Sequence, residues 1–322
     1  MQELAGCHVL VTGGAGFIGS HLVERLLERG VRVTVLDNFD DFYDPARKRA
    51  NLAAVQGRAE LRVVEGDVRD APLLARLFRE GTFDQVVHIA ARAGVRPSIE
   101  QPLLYEDVNV RGTLVLLEAM RAAGCRRLVF ASSSSVYGAA SRVPFRETDP
   151  CDRPISPYAA TKRACELAIW TYHHLYGIQA ALLRLFTVYG PRQRPDLAIA
   201  RFARRMLAGE PIPVYGDGSF ERDFTYIDDI LQGVLGAMQR LEGCEIYNLG
   251  GAVTTSVNEL IRLLERVLGV PARIERLPVQ PGDVPRTWAD ITKARQRLGY
   301  EPQVPLAEGL ARYAAWLGAG PH

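Results

Sequence analysis

Thr12-Gly13-Gly14-Ala15-Gly16-Phe17-Ile18-Gly19 follows a short β-branched run directly and opens an amphipathic stretch. It satisfies GxGxxG counted from Gly14 and GxxGxxG counted from Gly13. Glycines at this spacing let the chain turn sharply and let a pyrophosphate approach the backbone. The N-terminus of the helix that follows adds N–H donors and a positive dipole end. A Gly-rich turn alone means little; its seat between a strand and a helix makes it a dinucleotide-binding signature. Gly13, Gly16, Phe17, Ile18 and Gly19 are therefore candidate cofactor contacts.

Working outward, runs at 7–11, 32–36, 61–64, 85–89, 127–131 and 180–185 read as strands. Stretches at 17–29, 73–79, 110–122 and 158–176 carry apolar residues three and four apart and read as helices. This alternation predicts an α/β fold, a doubly wound parallel sheet of the Rossmann type. The rhythm breaks after Thr187, where 189–196 is rich in Gly, Pro and Arg. A helix is expected from there to about Gly209, then a loop over 211–223. A helix and strand at 226–241 and 246–249 look like a return to the first domain, and three amphipathic helices follow at about 256–268, 292–298 and 306–317. The expected division is a nucleotide-binding domain over 1–186, rejoined at about 224–250, and a smaller discontinuous substrate-binding lobe over 187–322.

Asp37 closes the second predicted strand, with Asn38 after it. A carboxylate there suits the adenosine ribose diol and repels a 2′-phosphate, which favours NAD over NADP. The bland alternative is a strand-end acid capping a turn, and Lys48 and Arg49 downstream blunt the preference. Asp67-Val68, after the third strand, suits adenine, or else Asp67 caps the next helix.

The bulk composition excludes several classes. A net charge of +2 over 322 residues argues neither for nucleic acid nor for an anionic membrane surface. No apolar run approaches the roughly 20 residues of a membrane span. Met1 to Thr12 runs straight into a strand pattern with no signal-peptide pattern ahead of it. Five scattered cysteines read as reduced thiols in a cytoplasm, and six histidines offer no metal-ligand spacing, so no metal is expected. Of 39 basic residues, only Lys48, Lys162 and Lys293 are lysines. Against such a bias, each lysine is a candidate for work that a planar guanidinium does poorly.

Tyr158-Ala159-Ala160-Thr161-Lys162 is a YxxxK on a predicted helix. Four residues apart, the two side chains share one face, where the ammonium favours the tyrosinate. Such a tyrosine can take a proton from a hydroxyl while hydride leaves the same carbon. Ala131-Ser132-Ser133-Ser134-Ser135-Val136-Tyr137-Gly138 places four hydroxyls at the end of the fifth strand, where doubly wound sheets bind ligands. A polar loop is the bland reading of the serines, and a surface pair that of the YxxxK.

The TGGAGFIG loop, Asp37, His88-Ile89-Ala90-Ala91, Asn109-Val110-Arg111-Gly112-Thr113, SSSSVYG and YAATK together resemble the extended short-chain dehydrogenase/reductase family of nucleotide-sugar epimerases. The resemblance implies a catalytic trio of Ser133, Tyr158 and Lys162. It implies that Ile89, Ala90, Ala91, Asn109, Leu185 and Phe186 lie along tightly held NAD. It assigns Arg222 to the substrate diphosphate, Asp283 to the nucleotide ribose and Tyr215 to the uridine pocket; a turn acid and a core aromatic are the alternatives for the last two. A homodimer packed through the helices near 110–122 and 158–176 is also implied.

Within that family, dehydratases carry an acidic pair before VYG and decarboxylases a glutamate, whereas this chain has Ser134 and Ser135. Thr187 stands where galactose-type 4-epimerases usually have Asn. The FTVYGP…RPD segment and Ala93-Gly94-Val95-Arg96-Pro97-Ser98 are similar to UDP-glucuronate 4-epimerases, which adds Arg96 to the substrate contacts. Ser134, Ser135, Thr187 and Arg194 would supply donors to a C6 carboxylate, although Arg194 also reads as a surface arginine. The expected reaction is inversion at C4 of UDP-glucuronate through a 4-keto sugar. The rivals are a UDP-glucose or UDP-N-acetylglucosamine 4-epimerase, another NAD(P)-dependent oxidoreductase, and a catalytically silent NAD-binding sensor.

Overall fold

The computed structural model describes residues 3–139, 142–279 and 282–318, so Met1 and Pro281 lie outside the described residues. Strands are β1 (His8–Thr12), β2 (Arg32–Asp37), β3 (Leu61–Glu65), β4 (Gln85–His88), β5 (Arg127–Ser133) and β6 (Gln179–Leu185). The later ones are β7 (Thr187–Tyr189), β8 (Ile212–Tyr215), β9 (Glu221–Tyr226), β10 (Cys244–Leu249), β11 (Thr254–Ser256) and β12 (Ile274–Leu277). Helices are α1 (Phe17–Glu28), α2 (Pro45–Asn51), α3 (Ala71–Glu80), α4 (Val95–Glu100), α5 (Pro102–Tyr105) and α6 (Gly112–Ala123). They continue with α7 (Pro157–Tyr176), α8 (Ala198–Leu207), α9 (Ile227–Gln239), α10 (Val257–Leu268), α11 (Thr292–Leu298) and α12 (Leu306–Gly318).

Seven strands form one parallel sheet in the order β10-β6-β5-β4-β1-β2-β3. Its central strands are apolar on both faces. Val9, Val11, Val33, Val35, Val87 and Leu183 enter one core, while Leu10, Leu36, Val86 and Leu182 enter the other. That is the two-residue alternation of a sheet covered on both sides. The strand order reverses at β1 and β4, which opens a crevice at their C-terminal ends.

The helix that carries the YxxxK is delimited by local chemistry. Ser156 caps α7 by accepting the Ala159 N–H at 3.2 Å, Pro157 takes the first position, and Gly177 ends it in the left-handed region. The helix expected from Val110 starts earlier, with a π-helical turn over Glu106–Arg111. There the Asn109 carbonyl accepts the Thr113 hydroxyl at 2.6 Å and the Cys165 thiol at 3.2 Å, competing with the regular ladder.

After β6 only Phe186 intervenes before β7, which pairs with β9 and through it with β11 in a separate three-stranded sheet. The segment 211–223, expected as loop, holds β8 and the start of β9. Both are short, and β9 is polar in sequence, so neither shows an apolar alternation. The chain returns through α9 to β10, which pairs with β6 at the edge of the main sheet. Among the described residues, no helix is long and apolar enough to cross a membrane.

Candidate active site

A cleft of about 480 Å³ runs along the C-terminal ends of β1, β2, β4, β5 and β6. At its centre is the Gly-rich loop. Gly13 has φ +72° and its N–H bonds the Leu36 carbonyl at 2.8 Å; a Cβ there would sit 2.7 Å from the Ala90 nitrogen. Only glycine fits so close an approach. Gly16 is the N-cap of α1, with no side-chain cap and no acid in the first turn. Apart from its chain neighbours, a Cβ at Gly16 would have only the Gly13 carbonyl oxygen within 4 Å. The uncapped helix end therefore faces open cleft space, a cradle shaped for a pyrophosphate.

Asp37 is 8 % exposed, and its carboxylate accepts the Ala15 N–H at 3.0 Å and the Phe39 N–H at 2.9 Å. Burial raises its pKa, with the two N–H bonds and Lys48 opposing. Asp37 thus braces the glycine loop as well as facing the cleft. Asn38 donates to Asp67 at 3.0 Å. Arg69 bonds both Asp67 oxygens and holds that carboxyl down at about 2. The cap of α3 is Asp70, not Asp67, which removes the capping alternative. Asp67, Val68, Ile89, Ala90, Ala91 and Leu185 all line the cleft.

Asn109 differs from expectation. It is 2 % exposed and is not among the lining residues. Its carboxamide accepts the Arg92 N–H at 2.7 Å and donates to the Arg92 carbonyl and the Thr161 hydroxyl, both at 3.0 Å. It fixes the wall from behind.

Ser133, Tyr158 and Lys162 converge on the cleft. Ser133 ends β5 and donates to Ser135 Oγ at 3.1 Å. Tyr158 packs edge-on against Tyr105, with ring centres 6.2 Å apart. Lys162, 3 % exposed, donates to the Ala131 carbonyl at 2.7 Å, which ties α7 to the end of β5. Ser134, Ser135, Thr187 and Arg194 line the same space. Arg194 is held by both oxygens of Asp196, at 2.9 and 2.8 Å.

Arg96, Tyr215, Arg222 and Asp283 gather separately, beginning next to the cleft residue Val95. Arg96 bonds Asp283 at 2.9 Å and lies 4.1 Å above the Tyr215 ring. Burial lowers the Arg222 pKa, Asp283 opposes this and Arg96 adds to it. Sequence reasoning missed Asp40, Phe42, Tyr43 and Arg92, which also line the cleft. Lys48, which lines it too, was marked by the scarcity of lysine and by its place downstream of Asp37.

A family profile described as GDP-mannose 4,6 dehydratase matches residues 10–313. The chain belongs to this family, within the extended short-chain dehydrogenases. Among members of the family, it is 45 % identical over 310 residues to a UDP-glucuronate 4-epimerase of Thermodesulfobacterium geofontis, covering 96 % of this chain and 95 % of that one. It is also similar to the Bacillus cereus UDP-glucuronic acid 4-epimerase, solved with UDP-glucuronic acid and NAD. That match has a TM-score of 0.91 at 36 % identity and covers 97 % and 99 % of the two chains. The UDP-glucose 4-epimerase of Thermotoga maritima, solved with UDP-glucose, scores 0.90 at 35 % identity over 97 % and 98 %. Extended short-chain dehydrogenases with different sugars thus share this frame, and the residues of the cleft must carry the distinction.

Proposed function

We propose that this protein is an NAD-dependent epimerase that interconverts UDP-glucuronate and UDP-galacturonate by inverting C4 without decarboxylation. The observation that carries the reading is the convergence of Ser133, Tyr158 and Lys162 with Ser134, Ser135, Thr187 and Arg194 on one cleft. Two of the proteins it resembles, from Thermodesulfobacterium geofontis and Bacillus cereus, are UDP-glucuronate 4-epimerases, which supports the same sugar here.

In this reading the glycine loop receives the pyrophosphate of NAD, Asp37 the adenosine ribose, and Asp67 and Val68 the adenine. When bound, NAD would supply the acceptor for the C4 hydride and the source of its return. Tyr158 takes the proton from the C4 hydroxyl with Ser133 sharing its hydrogen bond, and gives it back after the sugar has turned over. Lys162 holds the nicotinamide ribose. A 4-keto uronate is prone to lose CO₂ when its carboxylate is free to align with the carbonyl π system. Ser134, Ser135, Thr187 and Arg194 bind that carboxylate and resist the alignment. Arg96, Tyr215, Arg222 and Asp283 form the nucleotide subsite.

A second reading, UDP-glucose or UDP-N-acetylglucosamine as substrate, is favoured by the bidentate Asp196 on Arg194, which already neutralises that cation. Incubation with a panel of UDP-sugars, followed by NMR, separates the two. Inversion at C4 of UDP-glucuronate is the expected result; preferred turnover of a neutral sugar would overturn the assignment.

We further propose a division into a nucleotide-binding domain over 1–186, rejoined at about 224–250, and a substrate lobe. A homodimer packed through α6 and α7 is supported by their exposed Leu114, Leu167, Trp170, Leu175 and Tyr176. A cytoplasmic setting is supported by the buried cysteines Cys125, Cys151, Cys165 and Cys244, none of them in a disulfide among the described residues.

A further inference from the structure

Asp40, Phe42 and Tyr43, in the segment between β2 and α2, line the cleft. In the sheet β1 lies between β4 and β2, and the glycine loop leaves its C-terminal end. Asp40, three residues after the end of β2, forms an ion pair with Arg92, four residues after the end of β4. That side-chain bridge therefore spans the strand end from which the glycine loop emerges.

Its footings are rigid on both sides. The Arg92 backbone is clamped through N–H and carbonyl by Asn109. Phe39, buried and at φ +48°, turns the chain in a region that side chains rarely adopt. Lys48 donates to the Asp40 carbonyl at 2.6 Å and lies 4.7 Å from the Tyr43 ring centre. Phe42 is held by two guanidinium groups, Arg92 at 4.8 Å and Arg194 at 5.4 Å from its ring centre. Finally, the buried Tyr43 hydroxyl has no hydrogen-bond partner among the described residues, and Tyr43 lines the cleft. A buried hydroxyl of this kind calls for a partner in the bound molecule.

We propose that residues 39–43 are a strap closed over the bound dinucleotide by the Asp40–Arg92 bridge, and that the bridge sets how long NAD stays. The inference rests on the NAD reading above. An epimerase that returns its hydride to the same sugar gains from keeping the cofactor between turnovers, and an ion pair across the strand end that carries the glycine loop favours that retention.

The test uses the protein loaded with NAD and follows exchange of bound NAD for isotopically labelled NAD by mass spectrometry. Arg92→Gln and Asp40→Asn are each expected to speed the exchange roughly tenfold, as for loss of a charge-assisted hydrogen bond. The charge-swapped double variant, Asp40→Arg with Arg92→Asp, is expected to return it to within about threefold of wild type. Single variants that exchange at the wild-type rate, or a swap that exchanges as fast as the singles, overturn the strap and leave the NAD reading standing. A wild-type protein that takes up no NAD overturns both.

Discussion

Arg184 Nη2 lies 2.9 Å from Glu166 Oε2, with both side chains 1 % exposed, so a fully buried ion pair joins β6 to the helix of Tyr158 and Lys162. Arg184 Nε bonds the other carboxylate oxygen at 3.0 Å, Ser132 donates to it at 2.6 Å, and Arg163 reaches the pair from its half-buried side. Glu166 stands one turn beyond Lys162, and Ser132 precedes Ser133. The pair therefore fixes how the three proposed catalytic side chains meet.

Removing one partner is expected to cost far more than removing both. Glu166→Gln strands a buried guanidinium and should destabilise the protein by ~3–5 kcal/mol, read by urea unfolding. Glu166→Leu combined with Arg184→Met should recover much of that loss, because it also removes the charge left unpaired. A single variant within about 0.5 kcal/mol of wild type would contradict this account of the pair.

The carboxylate assignment turns on Arg194. Arg194→Ala is expected to raise KM for UDP-glucuronate about tenfold or more, the worth of a hydrogen bond between charged groups. KM for UDP-glucose should move by less than about threefold, since that sugar has no charge for Arg194 to meet. Steady-state kinetics on both sugars decides it; equal effects would show that Arg194 merely shapes the loop.

Tyr158→Phe removes the proposed proton carrier while keeping the ring that packs on Tyr105. The expected loss in kcat is ~10²–10⁴-fold, with calorimetric affinity for UDP-glucuronate little changed. A variant that still inverts C4 at the wild-type rate would remove Tyr158 from the chemistry.

The parts of this molecule legible in sequence are those governed by local rules. Strands such as Val9–Val11 carry apolar side chains for two cores, and the glycine loop and YxxxK are contiguous, so each announces itself. The strap was silent, because Asp40 gains its meaning from Arg92, 52 residues away. Asn109 was placed on the cofactor by resemblance, yet its amide serves the backbone of Arg92, a partner no motif reveals. Strands β8 and β9 were lost because β8 is only four residues long with a proline inside it and β9 is polar in sequence, so neither carries a periodic apolar signal.

His88 gives the fold a pH dependence that begins near neutrality. The ring is 1 % exposed, with Nδ1 2.7 Å from the Thr12 hydroxyl and Nε2 3.1 Å from that of Thr113. Thr113 spends its own proton on the Asn109 carbonyl, so its oxygen accepts from Nε2–H, and Nδ1 accepts from Thr12. That network assigns a neutral imidazole. Burial, then the Lys162 ammonium, push its pKa from 6.5 down to about 3. Below pH 6.5 the unfolded chain takes up a proton that the folded chain refuses. The stabilisation is therefore complete above that pH and is lost as pH falls, by ~1.4 kcal/mol per unit. His88→Gln keeps a donor and an acceptor but does not titrate. In urea unfolding, the margin of wild type over His88→Gln should shrink by about 2 kcal/mol between pH 7 and pH 5. A margin that stays constant over this range would mean that the folded protein accepts the proton at His88, against the burial and the Lys162 charge that exclude it.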